Sequence, residues 1–303
     1  MKKISILIII VFILFSKSCS YEDINKNTEE TTIKIENEET SYRIDKKISE
    51  IAGIYKDNIS IYYKNLDTEE EYLLNPDRYY IAASTTKVPL CMMILDQVFE
   101  EALNLEDEIY YEEEDDEDGS GVLYYLEDVT NVTIGEAVRL SIIESDNVAK
   151  NMLRRISEIS ITDYLIDITG DESIPYENYI TARQLYMVLD RLYENPNNNP
   201  YYELLIDYMT KTVFHDRLDK YIPHDIVAHK IGDYYRYYHD CGIIYGKDDY
   251  IIVILTRDIG NLSDEAYNDG TEDERYLLDW GSQAYEIIGN ISKEIYLNVE
   301  GNY

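Results

Sequence analysis

The pattern that most limits how this chain can fold is a change of hydrophobic period along its length. Ile59 to Lys64 and Glu71 to Leu74 are short β-branched and aromatic runs separated by the turn-like Asn65-Leu66-Asp67, which predicts a hairpin. His224 to Lys230, Cys241 to Tyr245 and Tyr250 to Thr256 repeat the pattern towards the other end and read as three neighbouring antiparallel strands. The middle of the chain has helical period instead. Thr133-Ile134-Gly135-Glu136 and Thr181-Ala182-Arg183-Gln184 have the form of capping boxes, opening helices that run to about Glu144 and Tyr193. Another helix is predicted over Val148 to Ile156, and Asn195 to Pro200 reads as a loop. Helical spacing of Ile44, Ile48, Ile51, Ala52 and Tyr55, and of Tyr276, Leu277, Trp280, Ala284, Ile287 and Ile288, adds a helix at each end. Strands at both ends and helices between them predict an α+β fold. One antiparallel sheet is built from both termini and flanked by helices, and an all-helical subdomain is inserted over about residues 84–195.

With 303 residues, 45% of them hydrophobic, the chain can bury a large core. Met1-Lys2-Lys3 and the apolar run Ile4 to Phe15 have the shape of a secretory signal, too short for a membrane span, which needs about 20 residues. Ser16-Lys17-Ser18-Cys19 resembles a bacterial lipoprotein cleavage site with Cys19 as the lipid-bearing residue. Ser16 and Lys17 depart from that pattern, so lipidation stays open. The expected organisation is a signal peptide over 1–19, a polar tether over 20–40 and one domain over 41–303. The expected location is outside the cytoplasm, secreted or anchored to the membrane surface, and the expected state a monomer. Export permits disulfides, yet nothing in the sequence shows that Cys91 and Cys241 meet.

The net charge of −34 argues against a nucleic-acid partner, because phosphate contacts need a basic face. Glu106 to Asp118 holds ten carboxylates in thirteen positions and reads as a solvated, self-repelling loop, since the EF-hand ligand pattern is absent. His215, His224, His229 and His239 are scattered without metal-ligand spacing, so neither a metal site nor a cofactor is expected.

The chemistry-bearing stretch is Ala82-Ala83-Ser84-Thr85-Thr86-Lys87, at the start of the helical run Leu90 to Phe99. Residues three apart on a helix share a face, which makes the Ser84 hydroxyl and the Lys87 amine neighbours. A serine is a weak nucleophile until a base takes its proton, and a lysine held neutral can be that base. Taken alone, the stretch is better read as an ordinary helix start, with Ser84 as cap and Lys87 in the solvent.

Two further elements follow in order: Ser145-Asp146-Asn147 at a helix end and Lys230-Ile231-Gly232 on a strand. With their flanks, Thr133 to Ala149, His229 to Asp233 and His239 to Gly242, they make the chain resemble the serine β-lactamase and penicillin-binding protein superfamily. The class A β-lactamase branch is the nearest in pattern, over about residues 41–290. The resemblance implies an acyl-enzyme on Ser84, Lys87 as base, and Ser145 with Lys230 passing a proton to the leaving nitrogen. It implies an oxyanion hole from the backbone N–H groups of Ser84 and Asp233. Asn147 and Gly232 would meet the substrate, with Lys230 and Arg236 drawing its carboxylate, while Asp146 locks the loop. The substrate class implied is a small β-lactam or a peptidoglycan stem. Two departures stand out. Ile231 occupies a position where the family carries Thr or Ser, and the segment Thr169 to Asn178 lacks the Glu-x-x-Leu-Asn text of the deacylation base. Glu172 and Glu177 are the nearby glutamates. The alternatives are a D-Ala-D-Ala peptidase-like enzyme that deacylates slowly, or a non-catalytic binder of cell-wall fragments.

Overall fold

The computed structural model describes residues 42–126, 130–175, 178–260 and 281–301. The signal, tether and Cys19 readings, and residues Glu177, Tyr176, Tyr276, Leu277 and Trp280, lie outside the described residues. A helix over residues 42–52 (α1) leads through a short 3-10 turn, Gly53–Asn58, into the sheet. Five strands, β1 (Ile59–Asn65), β2 (Glu71–Leu74), β7 (Val227–Tyr234), β8 (Tyr237–Tyr245) and β9 (Asp249–Arg257), pair antiparallel in the order β2-β1-β9-β8-β7. N-terminal and C-terminal strands therefore share one sheet, as their period predicts.

Successive strand residues face opposite sides, and here both sides are apolar. Tyr62, Ile251, Val253, Leu255, Cys241 and Ile243 join one core, while Ile59, Ile61, Tyr63, Ile252, Ile254 and Ile244 join the other. The second core is closed by α1, through Ile44 and Ile48, and by the C-terminal helix α8 (Ser282–Val299), through Ile288, Ile291 and Ile295. The first is closed by helices from the middle of the chain: α2 (Lys87–Phe99), α3 (Ile134–Ile143), α4 (Asn147–Ile156), α5 (Ile161–Thr169), α6 (Ala182–Glu194) and α7 (Tyr201–Thr210). Helix α2 is the hub. Eleven of its thirteen residues are buried, so it is apolar all round, as a helix surrounded by others must be.

The local signals worked unevenly. Thr181 and Gln184 form the full reciprocal capping box at α6. At α3 only half of it forms. Thr133 Oγ1 accepts from the Glu136 N–H, but the Glu136 carboxylate turns to the Arg139 guanidinium at 2.7–2.8 Å. Helices α5 and α7 have no counterpart among the sequence predictions, nor do the two-strand pairings of β3 (Tyr80–Ile81) with β6 (Tyr179–Ile180) and of β4 (Glu108–Tyr110) with β5 (Asn131–Thr133). These strands are two or three residues long, too short for period-2 alternation to register.

The acidic segment departs from the expected solvated loop. Asp115 is 1% exposed and is clamped by Arg155 at 2.8 Å, and the same guanidinium reaches Glu112, also at 2.8 Å. Lys150 holds Glu117 at 2.7 Å. Basic residues of α4 thus offset the repulsion that the sequence run implies.

Candidate active site

Ser84 sits in a 3-10 turn, Ala83–Thr86, that runs directly into α2. Ala83 just before it and Ser145 both have φ of +52°, a left-handed conformation unusual for residues with a Cβ and characteristic of strained functional turns. The turn is pinned on one side by β3. The ring of His239, on β8, donates from Nε2 to the Ile81 carbonyl at 2.8 Å and accepts the Thr256 N–H at Nδ1. Burial pushes His239 down to a pKa of about 4, against the opposing hydrogen bond to Ile81, so the ring stays neutral.

Lys87 is fully buried, and its Nζ lies 3.0 Å from Ser84 Oγ, 2.6 Å from the Ser145 carbonyl oxygen, 3.1 Å from Ser145 Oγ and 2.8 Å from Asn147 Oδ1. Burial holds its pKa well below the usual lysine value, and the nearby Lys230 and Lys150 charges push the same way. A neutral amine has two protons and one lone pair. The Ser145 carbonyl and Asn147 Oδ1 take the protons, leaving the lone pair able to accept from Ser84. Lys230, equally buried, donates to Ser145 Oγ at 2.9 Å. Burial brings Lys230 down to about 8, with Asp240 opposing the shift. Two lysines thus flank one serine hydroxyl, a chain along which a proton can pass from Ser84 to a leaving group beside Ser145.

Residues 43–298 match the model of the β-lactamase enzyme family. The chain belongs to that family. Among solved structures, PBP-A aligns with a TM-score of 0.71 at 20% identity, covering 86% of this chain and 96% of that one. A β-lactamase from Sphaerobacter thermophilus gives 0.71 at 20% identity, with 85% and 97% covered. A PBP-A variant solved as an acyl-enzyme complex with penicillin G gives 0.70 at 20%, again with 85% and 97% covered. At such identities these structures show the fold. No curated protein matches the chain by sequence. Family and fold together make it a serine hydrolase of β-lactamase type.

The remaining motif residues of this β-lactamase-family site take distinct places. Asp146 is buried and binds backbone alone: Oδ2 accepts from Val122 and Leu123 N–H at 2.7 and 2.9 Å, and Oδ1 caps α4 by accepting from Ala149 N–H at 2.9 Å. Gly121 is required beside it, since its φ is +107° and a Cβ there would lie 2.3 Å from Asp146 Oδ2. Asn147 uses Oδ1 on Lys87 and donates from Nδ2 to the Asp118 carbonyl at 2.9 Å. Gly232 lets the edge strand β7 lie against the nucleophile turn. A Cβ there would come 2.9 Å from both the Ala82 oxygen and Thr85 Cγ2. Ile231 is buried, 4% exposed, in place of a hydroxyl.

Two arginines make ion pairs at or beside this strand. Arg236 Nε pairs with Asp258 at 2.8 Å. Arg217, 1% exposed and absent from the sequence reading, grips Asp233 at 2.6 and 2.7 Å, donates to the His239 carbonyl and lies over the Tyr285 ring at 4.1 Å. No spacing rule picks it out, because its partners come from β7, β8 and α8. Cys91 and Cys241 are both buried free thiols. The histidines correct the sequence picture: only His239 stands apart, while His215, His224 and His229 all converge on Asp219. Of the two glutamates considered as deacylation base, Glu172 is exposed. The neighbouring Asp171 is committed to Ser173, Tyr79 and Gln184.

Proposed function

We propose that the protein forms an acyl-enzyme on Ser84 by opening a β-lactam or cleaving a related D-Ala-type peptidoglycan stem, and that it releases the acyl group slowly. The observation that carries this reading is the buried Lys87 amine shared between Ser84 Oγ at 3.0 Å and Ser145 Oγ at 3.1 Å, with Lys230 on the far side of Ser145 at 2.9 Å. Lys87 takes the Ser84 proton as Oγ attacks the carbonyl carbon. Ser145 delivers a proton to the departing nitrogen and is resupplied from the lysines. Backbone N–H groups at Ser84 and Asp233 stabilise the oxyanion, each such donor contributing about 3 kcal/mol to the transition state. Asn147 orients the substrate amide, and Gly232 opens the strand edge to it. Likeness to the PBP-A acyl-enzyme with penicillin G supports acylation as the retained step.

Slow release is supported by the short connection between α5 and β6, where, among the described residues, Asp171 is engaged and Glu172 faces solvent. A general base for hydrolysis has to reach a water held at the acyl carbon. The reading also places the protein outside the cytoplasm, through its 1–19 segment, where peptidoglycan stems are found.

Incubation with a fluorescent penicillin and a chromogenic cephalosporin, followed by mass spectrometry, tests it. A long-lived adduct on Ser84 with little colour is the expected result. Rapid colour without adduct would refute slow release, and neither signal, with Ser84→Ala indistinguishable from the parent, would refute β-lactam chemistry altogether.

The pH dependence has a determined sign. Lys87 acts as a base only when neutral, so acylation falls on the acid side as pH drops through its depressed pKa. Lys230 acts only when charged, so acylation falls on the alkaline side at about pH 8. Stopped-flow acylation rates across pH should give a bell, and Lys230→Arg, whose charge persists, should move the alkaline limb upward.

A further inference from the structure

On the chain between α7 and β7, His215, Asp219 and His224 come together with His229 of β7. Three imidazole nitrogens face one carboxylate oxygen: Asp219 Oδ2 lies 2.5 Å from His215 Nδ1, 3.0 Å from His224 Nδ1 and 3.4 Å from His229 Nε2. The ligand atoms of His215, Asp219 and His229 all lie within 4.8 Å of one another. In a tetrahedral zinc site with bonds of 2.0–2.1 Å, neighbouring donors are about 3.3 Å apart. The buried half of the cluster is unsatisfied. Asp219 Oδ1 and His229 Nε2 are buried without a hydrogen-bond partner, and both side chains are 1% exposed. The other half opens outward, with the side chains of His215 and His224 42% and 53% exposed, so an ion has a way in.

Asp240 completes the arrangement. It accepts from His229 Nδ1 at 2.9 Å while also binding the Leu218 and Cys241 N–H groups. A carboxylate that holds Nδ1–H turns the Nε2 lone pair of the same ring toward Asp219. Lone pair and anionic oxygen then face each other across 3.4 Å, an arrangement that a bound cation or a proton on Nε2 would relieve.

We propose that His215, Asp219, His224 and His229 bind one Zn2+ ion, with Asp240 orienting His229 behind it. The donor set, three imidazoles and one carboxylate, suits a borderline divalent cation rather than calcium or magnesium. His215, Asp219 and His229 supply three ligands within mutual reach, and His224, whose Nδ1 lies 3.0 Å from Asp219 Oδ2, is placed to close the fourth position, which would give a structural rather than a catalytic site. The ion ties the connection over residues 215–224 to β7. That connection carries Arg217, which grips Asp233, and β7 carries Lys230 and Gly232. The inference is independent of the chemistry at Ser84.

The test is titration of chelator-treated protein with zinc chloride, followed by calorimetry, thermal melting and X-ray absorption. One equivalent should bind, raise the melting midpoint by several degrees, and show three nitrogens and one oxygen at about 2.0–2.1 Å. His215→Ala with His224→Ala removes two exposed ligands without disturbing the buried pair, and should abolish both the stoichiometric binding and the thermal shift. Binding that survives in this double variant would assign the ion to surface carboxylates and overturn the proposal. Absence of stoichiometric binding in the parent protein would overturn it too, leaving a protonated His229 as the cation between Asp219 and Asp240.

Discussion

Replacing Lys87 with methionine is expected to slow acylation of Ser84 by about 10²–10⁴-fold, the range that general base catalysis contributes. The side chain is wholly buried and its Nζ is the only amine given a hydrogen bond to Ser84 Oγ among the described residues. Methionine is close to it in length and removes the amine, and with it the lone pair. The Ser145 carbonyl and Asn147 Oδ1 lose their shared donor, a cost expected to appear as a modest fall in thermal stability. Stopped-flow kinetics with a chromogenic cephalosporin measures the first effect and circular dichroism the second. An unchanged acylation rate in a folded variant would mean that some other group takes the Ser84 proton, and the assignment of Lys87 would fail.

The second large effect is expected at Asp146, which meets no substrate in the proposed site. Asp146→Ala strips the N-cap from α4 and leaves the Leu123 N–H buried without an acceptor. A lost cap costs about 1 kcal/mol and an unsatisfied buried donor about 1–3 kcal/mol, so a loss of about 3 kcal/mol is expected in urea unfolding. Acylation should fall as well. Asp146 ties the Ser145–Asn147 turn to the Val122 and Leu123 backbone, and the flanking Ser145 carbonyl and Asn147 Oδ1 are the acceptors for Lys87. Asp146→Asn retains one accepting oxygen and should recover part of both losses. Full stability in Asp146→Ala would show that the loop is held by other contacts.

Much of this architecture was legible before any coordinates. Strand runs at both ends and helical period between them were enough for one antiparallel sheet shared by both ends of the chain, because both faces of β1, β8 and β9 are buried and each face demands apolar residues. Ser84, Lys87, Ser145, Asp146, Asn147, Lys230 and Gly232 were each nameable, since they sit in contiguous triplets whose spacing is local. What escaped is non-local. Helices α5 and α7 are short and packed through a few residues such as Leu165, Leu205 and Met209. The partial reversal at the acidic segment depends on Arg155 and Lys150, which lie more than thirty residues away in the chain.

The sequence alone determined the order of the three motifs, the period of each element and the residue types available to the chemistry. Those are properties of neighbours along the backbone. Only the tertiary structure decided that Lys87 is a buried amine with a depressed pKa rather than a surface charge, because that follows from burial, with Lys230 and Lys150 nearby. It also decided that Arg217 grips Asp233, and that three histidines spread over residues 215–229 meet around one carboxylate. Desolvation and ligand geometry depend on which distant segments the fold packs together, and no spacing rule along a single chain encodes them.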